Sequence, residues 1–239
     1  MTEPRSAAAP GALALGLSFV AGFVDTFGFI ALFGLFTAHV TGNFVLIGAA
    51  IVSPGPGVVA KLLALPVFMA VVALICLIVR AHEALSRSAM IPLFALQWVL
   101  LAAFMAAGLS WAPFGQADAP DAVATGLIGV AAMAVQNAAA RLVLPTLVPT
   151  TVMTGNVTQF VIDAVDAFPG RSTDRRAAAI GRLKRFAPAM ISFAIGALAG
   201  ALGFAFAGFW GLVLPLAALA AVLALEYWAT GVPQRAKQA

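Results

Sequence analysis

Thr41-Gly42-Asn43 recurs as Thr154-Gly155-Asn156, and both triplets lie inside long apolar runs. Polar side chains in such a run cost free energy unless a partner or a solute uses them. The recurrence points to a chain made of two related halves, with the triplets as symmetry-related parts of one solute site.

Outward from the triplets, six apolar regions can be marked, at roughly 12–52, 62–79, 90–109, 122–168, 187–206 and 209–228. A helix needs about 20 residues to cross a ~30 Å hydrocarbon core. Four regions have that length. The first and fourth are about twice as long, and they are the two that hold the triplets. The 239-residue chain is 63% hydrophobic and only 9% charged, with a mean hydropathy of +1.05. A soluble protein carries about 25% charged residues. The composition therefore specifies an integral membrane protein, and the length suits one membrane domain. Arg5 ahead of an apolar run resembles a signal peptide, but the run from Gly11 outlasts the roughly 7–15 residues of a signal core, so it reads as a retained first span. Cys76 is the single cysteine, which excludes an internal disulfide.

The net charge of +4 is concentrated in a few segments. Arg80 and Arg87 fall in 80–89, and Arg171, Arg175, Arg176, Arg182, Lys184 and Arg185 in 169–185. Arg5, Arg235 and Lys237 lie at the termini, whereas 110–121 carries only Asp118 and Asp121. This is the pattern of a positive-inside membrane protein and not of a nucleic-acid binder. Six net crossings put every basic segment in the cytoplasm and 110–121 outside; eight would reverse two loops against the rule. Lys61, in a short external loop, is the exception. The expected organisation is a cytoplasmic tail at 1–11, a first membrane repeat at 12–110, an external loop at 111–121, a second repeat at 122–229 and a cytoplasmic tail at 230–239.

Each long region must then cross once and hold extra length. Residues 12–34 suffice for a full helix, whereas 43–52 would make a helix of only ~15 Å. The expectation is a broken or re-entrant half-helix starting at each Thr-Gly-Asn. Pro145 and Pro149 break the second copy, and Gly34 and Gly42 the first. Asp25 aligns with Asn137 allowing one gap, the triplets align without one, and Pro66 and Pro188 both come early in the following helix. Because each repeat makes an odd number of crossings, the second enters from the opposite side. This is the inverted-repeat plan of secondary transporters, with binding at the midplane.

The residues that can carry chemistry follow from that plan. Asn43 and Asn156 are suited to capping half-helix starts, with Gln159 at capping-box spacing, while Gly42 and Gly155 admit a solute or a facing backbone. Together with Thr41, Thr154, Gln136 and Asn137 they are the expected substrate-binding set; the alternative is that they only cap packed helix ends. Two opposed helix N-termini favour an anion or a carbonyl oxygen. Asp25, near the middle of its helix, can reach Arg141 across the pseudo-two-fold axis, either as a structural ion pair or as a titrating or anion-exchanging site. His39 is a candidate proton relay or a loop-tip hydrogen-bonding residue. Asp163 and Asp166 read as interface charges near Arg171, and Glu226-Tyr227-Trp228 as an interfacial anchor. Gly196, Gly200 and Gly203 have the spacing of helix packing or of a homodimer face. No metal-ligand spacing, phosphate loop or activated nucleophile is present, so no enzyme, cofactor or metal is expected.

The runs Ala21-Gly22-Phe23-Val24-Asp25, Ala38-His39-Val40-Thr41-Gly42-Asn43 and Val135-Gln136-Asn137-Ala138-Ala139-Ala140-Arg141 resemble the YoaK family of bacterial inner-membrane proteins. The resemblance covers most of the chain. It implies a six-span protein of the bacterial inner membrane and, in function, an exporter of a small molecule; it carries no binding residues over. The expected function is a secondary transporter, an exporter of a small polar or anionic solute with Asp25, Arg141 and His39 in charge or proton coupling. A passive channel and a non-transporting scaffold are the alternatives.

Overall fold

A computed structural model describes residues 10–168 and 172–231. All regular structure among them is helical: α1 (Pro10–Ala31), α2 (Val40–Val52), α3 (Val58–Ala84), α4 (Met90–Trp111), α5 (Pro120–Leu142), α6 (Met153–Asp166), α7 (Thr173–Ala207) and α8 (Val213–Gly231), with a 3-10 turn at Gly208–Leu212 between the last two. Five segments are long and apolar enough to cross a membrane: Gly11–Ala31, Val58–Ala84, Met90–Trp111, Pro120–Leu142 and Thr173–Trp228, the last holding α7 and α8. The chain is a multi-pass membrane protein.

The order long, short, long, long occurs twice, as α1–α4 and α5–α8. The packing has the same twofold pattern. α2 packs on α3 as α6 packs on α7, α3 on α5 as α7 on α1, and α4 on α5 as α8 on α1, while α4 meets α8 and α1 meets α5. Exchanging the halves leaves this set of contacts unchanged. The first helix of each half is the inner one. In their most apolar stretches α1 and α5 are 67% and 72% buried within the protein, against 17% and 28% for α3 and α4, which leaves the latter pair to meet lipid.

Close packing rather than hydrophobic driving force must hold such helices together, because lipid tails are as apolar as leucine. The α1–α7 pair shows how. A Cβ on Gly22 would strike the Phe193 carbonyl, and one on Gly196 or Gly200 would strike the carbonyl of Phe19 or Phe23. Gly203 lies under the Phe23 ring. These α7 glycines therefore serve helix packing inside one chain, the first of the two uses read from their spacing. At the other end of α1, the Phe27 ring meets Phe104, Phe204 and Phe209 edge-on at centroid distances of 6.0, 5.3 and 5.4 Å.

Two breaks position the site. α1 stops at Ala31, after which Phe33 and Gly34 both have positive φ, 55° and 83°. This left-handed turn is strained at Phe33 and easy at Gly34. α5 stops at Leu142, ahead of Pro145 and Pro149. Loops 32–39 and 143–152 then lead into the two short helices. At 1.5 Å per residue, 13 and 14 residues give α2 and α6 lengths of ~20 Å, too short for a ~30 Å core.

Three local expectations are corrected. Lys61 is not in a loop: it lies in the first turn of α3, is buried, and donates from Nζ to the carbonyls of Phe33 (2.8 Å), Pro56 (2.8 Å) and Gly57 (3.2 Å). Asp163 is buried and pairs with Arg182 at 2.7 Å; Arg171, its expected neighbour, lies outside the described residues. Glu226 is buried, whereas Tyr227 and Trp228 are exposed as interfacial anchors would be. Arg5, Arg235 and Lys237 also lie outside the described residues.

Candidate solute site

Each triplet occupies the second to fourth positions of its short helix, in Val40-Thr41-Gly42-Asn43 and Met153-Thr154-Gly155-Asn156. The asparagines are therefore not N-caps. Each is buried and reaches seven residues back to tie down the loop before it. Asn43 Nδ2 donates to the Phe36 carbonyl, and its Oδ1 accepts from the Phe36 N–H, both at 3.0 Å. Asn156 Nδ2 donates to the Pro149 carbonyl at 2.6 Å. Proline has no N–H, so the second bond has no counterpart there. Gly42 is also used internally, since a Cβ there would meet the Phe36 ring. Gln159 makes no capping box; its side chain donates to Asp163 at 3.1 Å.

The first helix of each half grips the same loop. Asp25 Oδ1 accepts from the N–H of Ala38 at 2.6 Å and of His39 at 3.2 Å, and Asp25 Oδ2 lies 2.7 Å from His39 Nδ1. Thr37 adds bonds to the Val24 carbonyl at 3.2 Å and to Asp25 at 3.5 Å. In the second half, the Thr151 hydroxyl donates to Asn137 Oδ1 at 2.6 Å, and Gln136 Nε2 donates to Thr150 Oγ1 at 3.1 Å. Gln136 further donates to the Leu17 carbonyl and accepts from Gln97, so it is a buried structural group and not a solute ligand.

The two loops converge. A cavity of about 320 Å³ is lined by His39, Val40 and Thr41 from one half and by Asn137, Thr151, Val152, Met153 and Thr154 from the other, with Leu65 and Phe68 closing its side. First turns of both short helices thus face one space. A helix N-terminus carries a partial positive charge, and both of these lie at the cavity wall. Thr41 and Thr154 are exposed while Asn43 and Asn156 are buried, and of each triplet only the threonine lines the cavity. Of the expected binding set, the cavity brings together Thr41, Thr154 and Asn137. Gly42, Asn43, Gly155, Asn156 and Gln136 are not on its wall.

The expected Asp25–Arg141 pair does not form. Asp25 spends its carboxylate on His39 and the loop backbone, which are local and held in place by α1. Arg141 is exposed in the last turn of α5. It lines a second cavity of about 230 Å³ that shares Asn137, Thr151 and Val152 with the first.

A family described as "Protein of unknown function (DUF1275)" matches residues 13–225, which spans both halves from α1 to α8. The chain belongs to that family. Curated proteins and solved structures give no match to it. The family match thus covers both clamped loops and the space between them without assigning a chemistry, which must be argued from the residues.

Two features of the site escaped sequence reasoning. Thr37 and Thr150 stand at equal distances ahead of their triplets, a signal that was present in the sequence. The carbonyl cage around Lys61 had no such signal, because carbonyls carry no residue identity.

Proposed function

We propose that the protein is a secondary transporter, an exporter of a small polar or anionic solute, that binds its cargo in the cavity between the first turns of α2 and α6. In this reading six crossings form two inverted repeats in a bacterial inner membrane, with both termini cytoplasmic. The observation that carries it is the shared cavity, lined by exposed threonines at matching positions of two half-length helices. Irregular backbone at membrane depth is tolerated where it is buried in protein or lines a cavity, which is the case for loops 32–39 and 143–152. Broken helices meeting at a repeat interface are the usual frame of such a binding site.

Thr41, Thr154, Asn137 and Thr151 supply hydroxyl and amide groups, and the two helix N-termini favour a negative or carbonyl oxygen. Asp25 and His39 form an ionisable pair 2.7 Å apart, with the histidine on the cavity wall. A solute that takes the His39 ring as a partner competes with Asp25 for it, and this couples proton and solute occupancy. In this reading the 230 Å³ cavity at Arg141, which shares Asn137, Thr151 and Val152 with the first, is the solute's entry.

The test is flux in proteoliposomes over a panel of small organic acids, phosphate and neutral polyols, with and without a pH gradient. Saturable uptake that responds to the gradient, and loses that response in His39→Gln, is expected. High conductance without saturation would assign a channel. A second reading, a packed membrane protein without flux, draws on the protein-only bonding of Asn43 and Asn156. Absence of flux for every solute, with Thr41→Cys and Thr154→Cys inert to aqueous thiol reagents, would select it.

A further inference from the structure

A different cavity, of about 200 Å³, opens where α1, α7 and loop 143–152 meet. Its walls are Ala14 and Leu15 of α1, Leu147 and Val148 of the loop, and Ala189 of α7; Lys184 and Arg185 stand at its rim. Among the described residues no carboxylate lines it. We propose that this is a binding site for an anionic phospholipid, with the phosphate held by Lys184 and Arg185 and the upper acyl chain lying on the apolar wall.

Depth argues for a lipid. From Phe186 to Ala207, α7 has no charged residue, a run of about 22 residues or ~33 Å, which matches the hydrocarbon core. Lys184 and Arg185 directly precede this run and so lie at headgroup level. Both are exposed, and neither has an acidic partner among the described residues, whereas the neighbouring Arg182 is committed to Asp163. Pro188, also on the wall, cannot donate to the carbonyl four residues before it, so the Lys184 carbonyl lacks its usual helical partner at the rim. Two cations above an apolar slot between helices fit a phosphate with a hydrocarbon tail, and basic pockets of this kind on the cytoplasmic side suit anionic headgroups.

The position has a consequence. Leu147 and Val148 belong to the loop that carries Thr150 and Thr151, and Val148 packs between Ala14 and Ala189. A lipid in the slot therefore braces the second loop from its outer side.

The experiment uses the full chain in neutral detergent, with phosphatidylglycerol, phosphatidylcholine or inorganic phosphate added. Native mass spectrometry reads retained lipid and thermal unfolding reads stabilisation. Phosphatidylglycerol is expected to be retained and to raise Tm, with phosphatidylcholine at least fivefold weaker. Lys184→Gln with Arg185→Gln should remove that preference, whereas Arg80→Gln with Arg87→Gln, at the other basic segment, should keep it. Leu15→Trp, which fills the slot without changing charge, should also abolish retention. Equal retention of both lipids, or a preference that survives both the charge and the filling variants, would overturn the proposal. Stabilisation by phosphate equal to that by phosphatidylglycerol would overturn the lipid assignment in favour of a free-anion site. None of these readouts requires transport.

Discussion

Loops 32–39 and 143–152 occupy matching places in the two halves but are held with different force. The first is fixed by a carboxylate that takes two backbone N–H groups and a histidine, by Lys61 on the Phe33 carbonyl, and by the two-bond clamp of Asn43. The second is held by neutral bonds from Asn137, Gln136 and Asn156. Charge-assisted bonds are roughly twice as strong as neutral ones. One half thus carries the ionisable pair and a stiff loop. The other carries a softer loop, next to the cavity that Arg141 lines. The difference predicts that loop 143–152 opens more readily than loop 32–39.

The largest expected effect comes from removing the carboxylate. Asp25→Ala takes the acceptor from the Ala38 and His39 N–H groups and the partner from the half-buried His39 ring, and should cost about 3 kcal/mol or more, whereas Asn137→Ala should cost about 1 kcal/mol. Thermal unfolding of the two variants side by side checks this, and equal losses would erase the contrast. Next comes Lys61→Met, which leaves the Phe33 and Pro56 carbonyls without their donor, the Gly57 carbonyl keeping the backbone N–H of residue 61, and should cost about 2–3 kcal/mol. Protection of the 32–39 amides in hydrogen exchange should fall in that variant while 143–152 is unaffected. The smallest effect separates the asparagines. Asn43→Ala should cost about 2 kcal/mol and Asn156→Ala about 1 kcal/mol, because one side chain makes two bonds to loop backbone and the other makes one. A reversed order would mean that the Pro149 loop is the tighter one.

How much of this could be read from residues alone varies along the chain. The short helices were legible, because a region of about 40 apolar residues is twice one span while the charge pattern allows it only one net crossing. So was the pairing of the halves, through the triplets; the prolines match less well, because α7 starts at Thr173 and Pro188 falls near its middle, whereas Pro66 lies in the first third of α3. The role of the triplet was legible only in part. Asparagine and glycine beside a helix start suggest a cap, yet the helices begin one residue before the triplet, and the asparagines turn back to the loop. Nothing in a one-dimensional spacing separates those outcomes, since both satisfy a buried amide. The partner of Asp25 was missed because alignment across the repeat axis favoured Arg141. The nearer histidine, 14 residues on, became a neighbour only once loop 32–39 folded against α1.

The central claim is that the first turns of α2 and α6 face each other across a water-filled cavity. It is tested most directly by placing cysteines at Thr41 and Thr154 in a chain carrying Cys76→Ser. The account predicts that each cysteine alone reacts with a small, charged, water-soluble thiol reagent. Together they should be joined by a short bifunctional reagent, with the two halves staying linked after cleavage in the 110–121 loop. Two cysteines that stay unreactive in the folded protein, or react but cannot be bridged, would contradict it.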